Sequence, residues 1–207
     1  MTNMKEVTPF YHSLSGDTEE DKKLLEPFKY ILQCNEKSDF TKITSVYNYW
    51  FKIPSDKIRQ IDEILRISCN VCFVLDDIQD NSITREDSPV THSIYGLGNT
   101  INAANYVQFV ALEKIANLHP AATKIFIEEM LEYYRSQGIE IYLTHNFICP
   151  TEKDYKIMVA RKSSWMVKLA VRLMKLFSTY EEDTSSLISA FGMYYQIRND
   201  YCNLFHE

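Results

Sequence analysis

Three carboxylates fall within five positions in the run Phe73-Val74-Leu75-Asp76-Asp77-Ile78-Gln79-Asp80-Asn81-Ser82, directly behind an apolar stretch. On a helix, Asp76 and Asp80 stand one turn apart and share a face, with Asp77 rotated by about 100°. Like charges gathered at a helix C-terminus repel one another and meet the negative end of its dipole, so the arrangement calls for a cation. Carboxylate oxygens without His or thiolate neighbours suit a hard ion, Mg2+ first, held by few side chains together with waters and substrate phosphates. A second acid-and-amide cluster, Asn199, Asp200 and Asn203, lies far downstream. Two such helix ends facing each other could hold divalent ions against a departing diphosphate, with Arg85, Lys162 and Arg198 as candidate cationic support. Alone, the first cluster fits a solvated acidic helix end as well as it fits a metal site. The second cluster tips the reading to metal.

The elements that must position these groups are helical. With 45% hydrophobic and 24% charged residues, the 207-residue chain has the composition of a globular domain, and its 5 Gly and 6 Pro leave long unbroken stretches. Residues 1–20 read as a polar, flexible N-terminal segment, and residues 21–207 as a single domain. Leu24, Leu25, Phe28, Ile31 and Leu32 form an i, i+3, i+4, i+7 stripe. Phe40–Phe51 is a second helical segment. Ser55 or Asp56 caps a third, from Lys57 to Asp80, which turns apolar all round before its acids, as a central bundle helix would. A loop with Pro89 and a Gly96-Leu97-Gly98 turn precede helices near Thr100–Leu118, Ala121–Leu143, Glu152–Phe177 and Ser185–Phe205.

A net charge of −6 and the lack of a basic, aromatic-interleaved stripe argue against a nucleic-acid surface. No apolar run has the length of a signal-peptide core or a membrane span. The five cysteines, Cys34, Cys69, Cys72, Cys149 and Cys202, cannot all pair with one another and read as reduced, mostly core residues of a cytoplasmic protein. None of the five histidines stands at ligand spacing from another.

In order and spacing, FVLDDIQDNS, SPVTHSIYG, TINAANYV, SQGIEIY, CPTEKDY and YYQIRNDYCNL resemble the trans-isoprenyl diphosphate synthases, nearest to the geranylgeranyl diphosphate synthases of animals. The resemblance covers Leu24 to Leu204. It implies the all-α isoprenoid synthase fold, a helical bundle with a central cavity, and a homodimer. It further implies that Asp76, Asp77 and Asp80 bind Mg2+ and an allylic diphosphate, which residues matching Arg85, Gln137 and Lys162 help to hold. His92 belongs to the family's Pro-Val-x-His loop, where a structural role is expected.

The departures from the family cluster on one side. Its second substrate, isopentenyl diphosphate, is bound through a Gly-Lys-x-x-Arg segment, a histidine before the aspartates and the second of two adjacent arginines. Here those positions read Glu36-Lys37-Ser38-Asp39-Phe40, Cys69 and Glu86, so only Lys37 survives. Losing bidentate donors and adding a carboxylate costs several kcal/mol of diphosphate binding, by the magnitudes of charged hydrogen bonds. The second metal motif, Asp-Asp-x-x-Asn or Asp-Asp-x-x-Asp in the family, is Asn199-Asp200-Tyr201-Cys202-Asn203, followed by Glu207. Positions 199, 203 and 207 share a helix face, a spacing similar to the Asn/Ser/Glu metal motif of terpene synthases. Lys-Thr-Gly becomes Lys162-Ser163-Ser164, followed by Trp165. Small residues at Val71 and Cys72 precede the aspartates, where bulk can limit chain length in the family.

Aromatic residues make up 13% of the chain. Phe73, Tyr133, Tyr134, Tyr142, Phe191, Tyr194 and Tyr195 could face a carbocation, although core packing is the plainer expectation for each. The family continues beyond the second motif, so the last helices of the bundle are expected to be missing here. That leaves a fragment, a truncated gene model or a chain whose core is covered by a dimer partner. Three readings follow: a terpene synthase ionising geranyl or farnesyl diphosphate, a geranylgeranyl diphosphate synthase with a weakened second site, and a non-catalytic partner subunit. Under either enzymatic reading, Asp76→Asn or Asp80→Asn lowers turnover at least ~100-fold, about 3 kcal/mol of barrier, with unchanged helicity by circular dichroism. Near-normal turnover in both variants would remove the metal assignment.

Overall fold

In the computed structural model, residues 10–14, 18–35 and 41–205 are described. Lys37, Phe40 and Glu207, singled out above, lie outside them. Ten helices and one minimal hairpin occur among the described residues: α1 (Glu19–Leu24), α2 (Glu26–Cys34), α3 (Thr41–Phe51), α4 (Ser55–Gln79), β1 (Thr84–Arg85), β2 (Ser88–Pro89), α5 (Thr91–Tyr95), α6 (Leu97–Leu118), α7 (Ala122–His145), α8 (Glu152–Lys162), α9 (Trp165–Lys175) and α10 (Ser185–Phe205). The chain divides into two compact units, one of Met1–Phe40 with Asp62–Leu118, the other of Thr41–Ile61 with His119–Glu207.

In the first unit, α2, α5 and α6 pack on one another, and a shared core joins Leu25, Phe28 and Ile31 to Ile67, Val71 and Val74 of α4 and to Ala104, Val107 and Ala111 of α6. Small residues on α6, Ala104 and Ala111, let the apolar stripe of α2 approach closely. Ile64, Leu65, Ile67, Ser68, Cys69, Asn70, Val71 and Cys72 are all buried, the all-round burial expected of this helix. Inside that core the amide of Asn70 is satisfied twice, accepting from Asn35 at 2.8 Å and donating to the Arg66 carbonyl at 2.8 Å. Within the N-terminal segment, residues 10–14 are anchored. Tyr11 is buried against Phe28, Phe10 lies under the Arg66 guanidinium at 4.8 Å, and Ser13 Oγ and the Leu14 N–H both donate to Glu113.

The second unit is built on α7, against which α8 and α9 pack, with α3 on α9 and α10 on α8. Trp165, Val167, Leu169, Ala170, Val171, Leu173 and Met174 of α9 are all buried and form much of its core. Arg172 spans to α7 with 2.6 Å contacts to both Glu128 and Glu129, and the Ser136 hydroxyl donates to the Met158 carbonyl at 2.7 Å. Thr151 caps α8, accepting from the Asp154 N–H at 3.2 Å.

Several boundaries differ from the sequence expectation for physical reasons. Ser55 and Asp56 lie inside α4, because the Pro54 carbonyl accepts from Lys57 and Ile58 at 3.0 and 3.1 Å and so begins the helix two residues earlier. Gly98 lies within α6, and only Gly96 takes a left-handed φ of 81°. The expected helix from Glu152 to Phe177 is two helices. The Ala160 carbonyl accepts from the Ser164 hydroxyl and, at 3.0 Å, from Lys168 Nζ, so side chains meet the acceptor that a continuous ladder would use.

At that break α10 comes closest. A Cβ added to Gly192 would lie 2.7 Å from Ser164 Cβ and 3.1 Å from its backbone. Gly192→Ala should therefore destabilise the chain by about 1–3 kcal/mol in urea unfolding, because overpacking outweighs the helix-propensity gain of about 1 kcal/mol. Adding Ser164→Gly should recover part of the loss. Equal or higher stability of Gly192→Ala alone would show that the two helices can part freely.

Candidate active site

In the first unit the long α4 delivers the aspartates at its C-terminal end. Asp76 lies in the last turn and Asp80 just past it, yet the Asp80 N–H still donates to the Asp76 carbonyl at 2.8 Å, so the two share a face as the spacing requires. Asp80 is exposed and the Asp76 side chain is 22% exposed. Asp77 is turned inward at 1% exposure. The cation demanded by the acidic helix end comes partly from the chain itself. Arg85 donates through Nε to Asp77 Oδ2 at 2.9 Å and through Nη2 to Oδ1 at 2.7 Å, a bidentate clamp, and its Nη2 stands 3.7 Å from Asp76. Its guanidinium also lies 4.7 Å from the ring centre of Phe73, one turn back along α4.

Arg85 is placed by the hairpin, in which Thr84 faces Pro89 and Arg85 faces Ser88. Glu86 and Asp87 make the two-residue turn with φ of 48° and 62°, the mirror-image turn that suits a tight hairpin. Tyr30 of α2 ties it down by donating to the Pro89 carbonyl at 2.7 Å. Burial pushes the Asp77 carboxyl above its usual range, although the Arg85 hydrogen bonds and charge pull the other way. Desolvation thus outweighs the attraction of the pair. Because the folded value is raised, the stability this carboxyl contributes is present below the ordinary carboxylate range and is lost as pH rises through the raised value.

The second unit holds the other candidates. Gln137 is buried on α7 and Lys162 ends α8, paired with Glu140 one turn beyond Gln137. On α10, Arg198 and Asn203 are exposed, and Asn199 and Asp200 are half-buried. Both Asp200 oxygens are engaged: the Tyr155 hydroxyl of α8 donates to Oδ2, and Gln196 Nε2 donates to Oδ1 at 2.8 Å. Gln196 in turn accepts from the Ser163 hydroxyl. Burial, and then the Asp200 bond, push the Tyr155 hydroxyl far above its ordinary range, so it remains a proton donor.

Among the described residues no three His, Cys, Asp or Glu side chains converge as a preformed metal cage. The donor set nevertheless fits Mg2+: two carboxylates one turn apart, with amide oxygens elsewhere, are hard ligands, and this ion keeps waters and phosphates in its shell.

Sequence reasoning gave no role to Glu140, Tyr155, Gln196 or Ser163, although all four lie in segments quoted above; their roles depend on contacts between helices. The reading of the cysteines also passes over a Cys-x-x-Cys pair, Cys69 and Cys72. Both are buried, and burial raises the Cys69 thiol well above its ordinary value, which favours the thiol over the reactive thiolate. Cys149 is exposed, against the core expectation. Of the seven aromatics, Tyr133 is buried, whereas Tyr142 and Tyr194 are 60% and 67% exposed. Core packing does not account for those two.

The sequence model of the polyprenyl synthetase family matches residues 21–207, and the chain belongs to that family. With ten helices among the described residues it has the all-α isoprenoid synthase fold. A terpene synthase of Matsumurasca onukii is 52% identical over 92% of this chain and 63% of its own length. Geranylgeranyl pyrophosphate synthases of Aspergillus flavus and Gibberella zeae are 39% and 43% identical, over 93% and 86% of this chain and 57% and 49% of theirs. The chain thus spans about half to two-thirds of the length of these relatives. No helix among the described residues is long and apolar enough to cross a membrane.

Replacing Arg85 by Ala leaves the buried Asp77 without its cation and should cost about 3–5 kcal/mol of unfolding free energy. Arg85→Lys should recover little, since a point charge cannot reproduce the fork. Adding Asp77→Asn to Arg85→Ala should return part of the loss; a double variant as unstable as the summed singles would mean that the two side chains are not coupled.

Proposed function

We propose that the chain ionises an allylic prenyl diphosphate, geranyl or farnesyl, and releases diphosphate and a terpene, as a synthase built on a prenyltransferase frame. The observation that carries this reading is the contrast within one hairpin. Arg85 is held on the aspartates, where it can serve the allylic diphosphate, while Glu86 beside it presents an exposed carboxylate where the family places a second arginine. Cys69, a buried neutral thiol in the family's histidine position, extends the same pattern. The 52% identical relative named a terpene synthase points the same way.

The candidate Mg2+ donors are Asp76 and Asp80 in the first unit and Asn199, Asp200 and Asn203 in the second; the ion, when bound, would neutralise charge on the departing diphosphate. Arg85, Gln137 and Lys162 bind and orient that diphosphate. Lys162 does so by exchanging the Glu140 carboxylate for phosphate oxygen. The carbon–oxygen bond breaks with its electron pair leaving on the diphosphate, and the allylic cation, cyclised or not, then loses a proton to give a hydrocarbon or adds water and loses a proton to give an alcohol. Without firm binding of isopentenyl diphosphate, no second carbon chain intercepts it.

Purified chain with Mg2+ and geranyl or farnesyl diphosphate should release a hydrocarbon or alcohol whether or not isopentenyl diphosphate is added. Elongated diphosphates should be minor. Phe40→Arg, Cys69→His and Glu86→Arg together should raise elongation by more than the three singles combined, because the three groups would meet one ligand. Efficient elongation by the unaltered chain with no terpene would instead make it a geranylgeranyl diphosphate synthase. Neither product would favour the non-catalytic subunit.

A further inference from the structure

We propose that the outward face of α3 is a docking surface for an anionic lipid bilayer. The proposal stands on the second unit alone and does not depend on the ionisation reading.

The two faces of α3, an 11-residue helix, differ in kind. Thr44, Tyr47 and Phe51 are buried, and the helix packs on α9. That side is fixed. Tyr47 stacks on Phe51, Phe51 meets Tyr180 at 5.3 Å, and the Ser178 hydroxyl donates to the Phe51 carbonyl at 2.7 Å. On the other side, Val46, Tyr49 and Trp50 are 55%, 76% and 43% exposed. At the helical step these three fall within an arc of about 100°, and the exposed Lys42 shares that arc one turn before Val46. The Tyr49 and Trp50 rings meet edge to face at 5.4 Å, so they form one aromatic ridge. Lys52, exposed and left-handed at φ 50°, follows directly after the helix.

Charge selects the occupant. The whole chain carries −6, yet residues 41–61 hold Lys42, Lys52, Lys57 and Arg59 against a single acid, Asp56. Cationic side chains are drawn to anionic headgroups. Trp and Tyr favour the headgroup level, where the ring is buried while its N–H or O–H stays wet. A second copy of the chain fits less well. One face of α3 is about 16 Å long and about 10 Å wide, whereas a stable protein interface takes about 800 Å² from each partner. A two-fold contact would also gather the lysines of both copies onto one small patch. Under the proposed function, a bilayer would concentrate the prenyl substrate and take up an apolar product.

Co-flotation with lipid vesicles tests the surface. The chain should float with vesicles of phosphatidylcholine mixed with phosphatidylserine, hardly at all with phosphatidylcholine alone, and added salt should release it. Val46→Ser with Tyr49→Ser should lower the partition coefficient about tenfold or more, and so should Lys42→Glu with Lys52→Glu. Lys124→Glu with Lys153→Glu makes the same change in net charge at exposed sites on α7 and α8. That control should lower partitioning less than about threefold; an equal loss would mean that only net charge is sensed, and would overturn the docking face. One readout needs no variant. The chain has two tryptophans, and Trp165 is buried, so vesicles should shield Trp50 fluorescence from acrylamide. No flotation with the anionic vesicles, or unchanged quenching of the floated chain, would also overturn it. If Val46→Ser with Tyr49→Ser instead weakens self-association in sedimentation velocity and leaves flotation intact, the face joins two copies and the lipid assignment fails.

Discussion

Burying the Asp77 carboxylate at the end of α4 is a costly choice, and much of the first unit's active end is arranged around it. A charge there needs a partner of fixed geometry. Arg85 supplies it only if a hairpin returns the chain within four residues of the helix end, which requires two left-handed residues in the turn and an anchor from Tyr30. The clamp in turn leaves Asp76 and Asp80 as the acids on the outward face. The three aspartates that look alike in sequence therefore separate into one that builds and two that can bind.

The second unit uses the same device with different parts. Lys162 and Asp200, both of which look like ligand-binding groups, are engaged within the protein, by Glu140 and by Tyr155 with Gln196. A lysine held by a carboxylate is positioned and partly desolvated, so under the proposed function phosphate would replace one anionic partner with another rather than order a free side chain. The ionisable groups of both units are thus oriented by their neighbours.

The helical class, and the burial and face-sharing of α4, were legible because periodicity and the spacing of acids report directly on a helix. The aspartates, Arg85 and Lys162 were singled out from residue type and resemblance, and the structure adds their partners: Arg85 on Asp77, and Glu140 on Lys162. What remained hidden depends on three-dimensional pairing. Nothing in Ser163-Ser164 announces that two hydroxyls will break a helix until the Ala160 carbonyl and Gln196 are seen to receive them. Nothing in Asp77 alone separates it from Asp76, because a rotation of about 100° decides which one is buried. The aromatics on α10 were misjudged for a related reason: helical spacing locates a stripe, but burial depends on what packs against it.

The contact between Gly192 and Ser164 also governs which length changes the chain can tolerate. It fixes the register of α10, and Asp200 lies eight residues further along the same face. One residue inserted between them would swing the carboxylate about 100° away from Tyr155, whereas a whole turn of about four residues would nearly restore its direction while carrying it about 6 Å along the axis. Neither change preserves both angle and height. This stretch of helix is therefore closed to insertion and deletion, and sequence divergence within it must proceed by substitution alone.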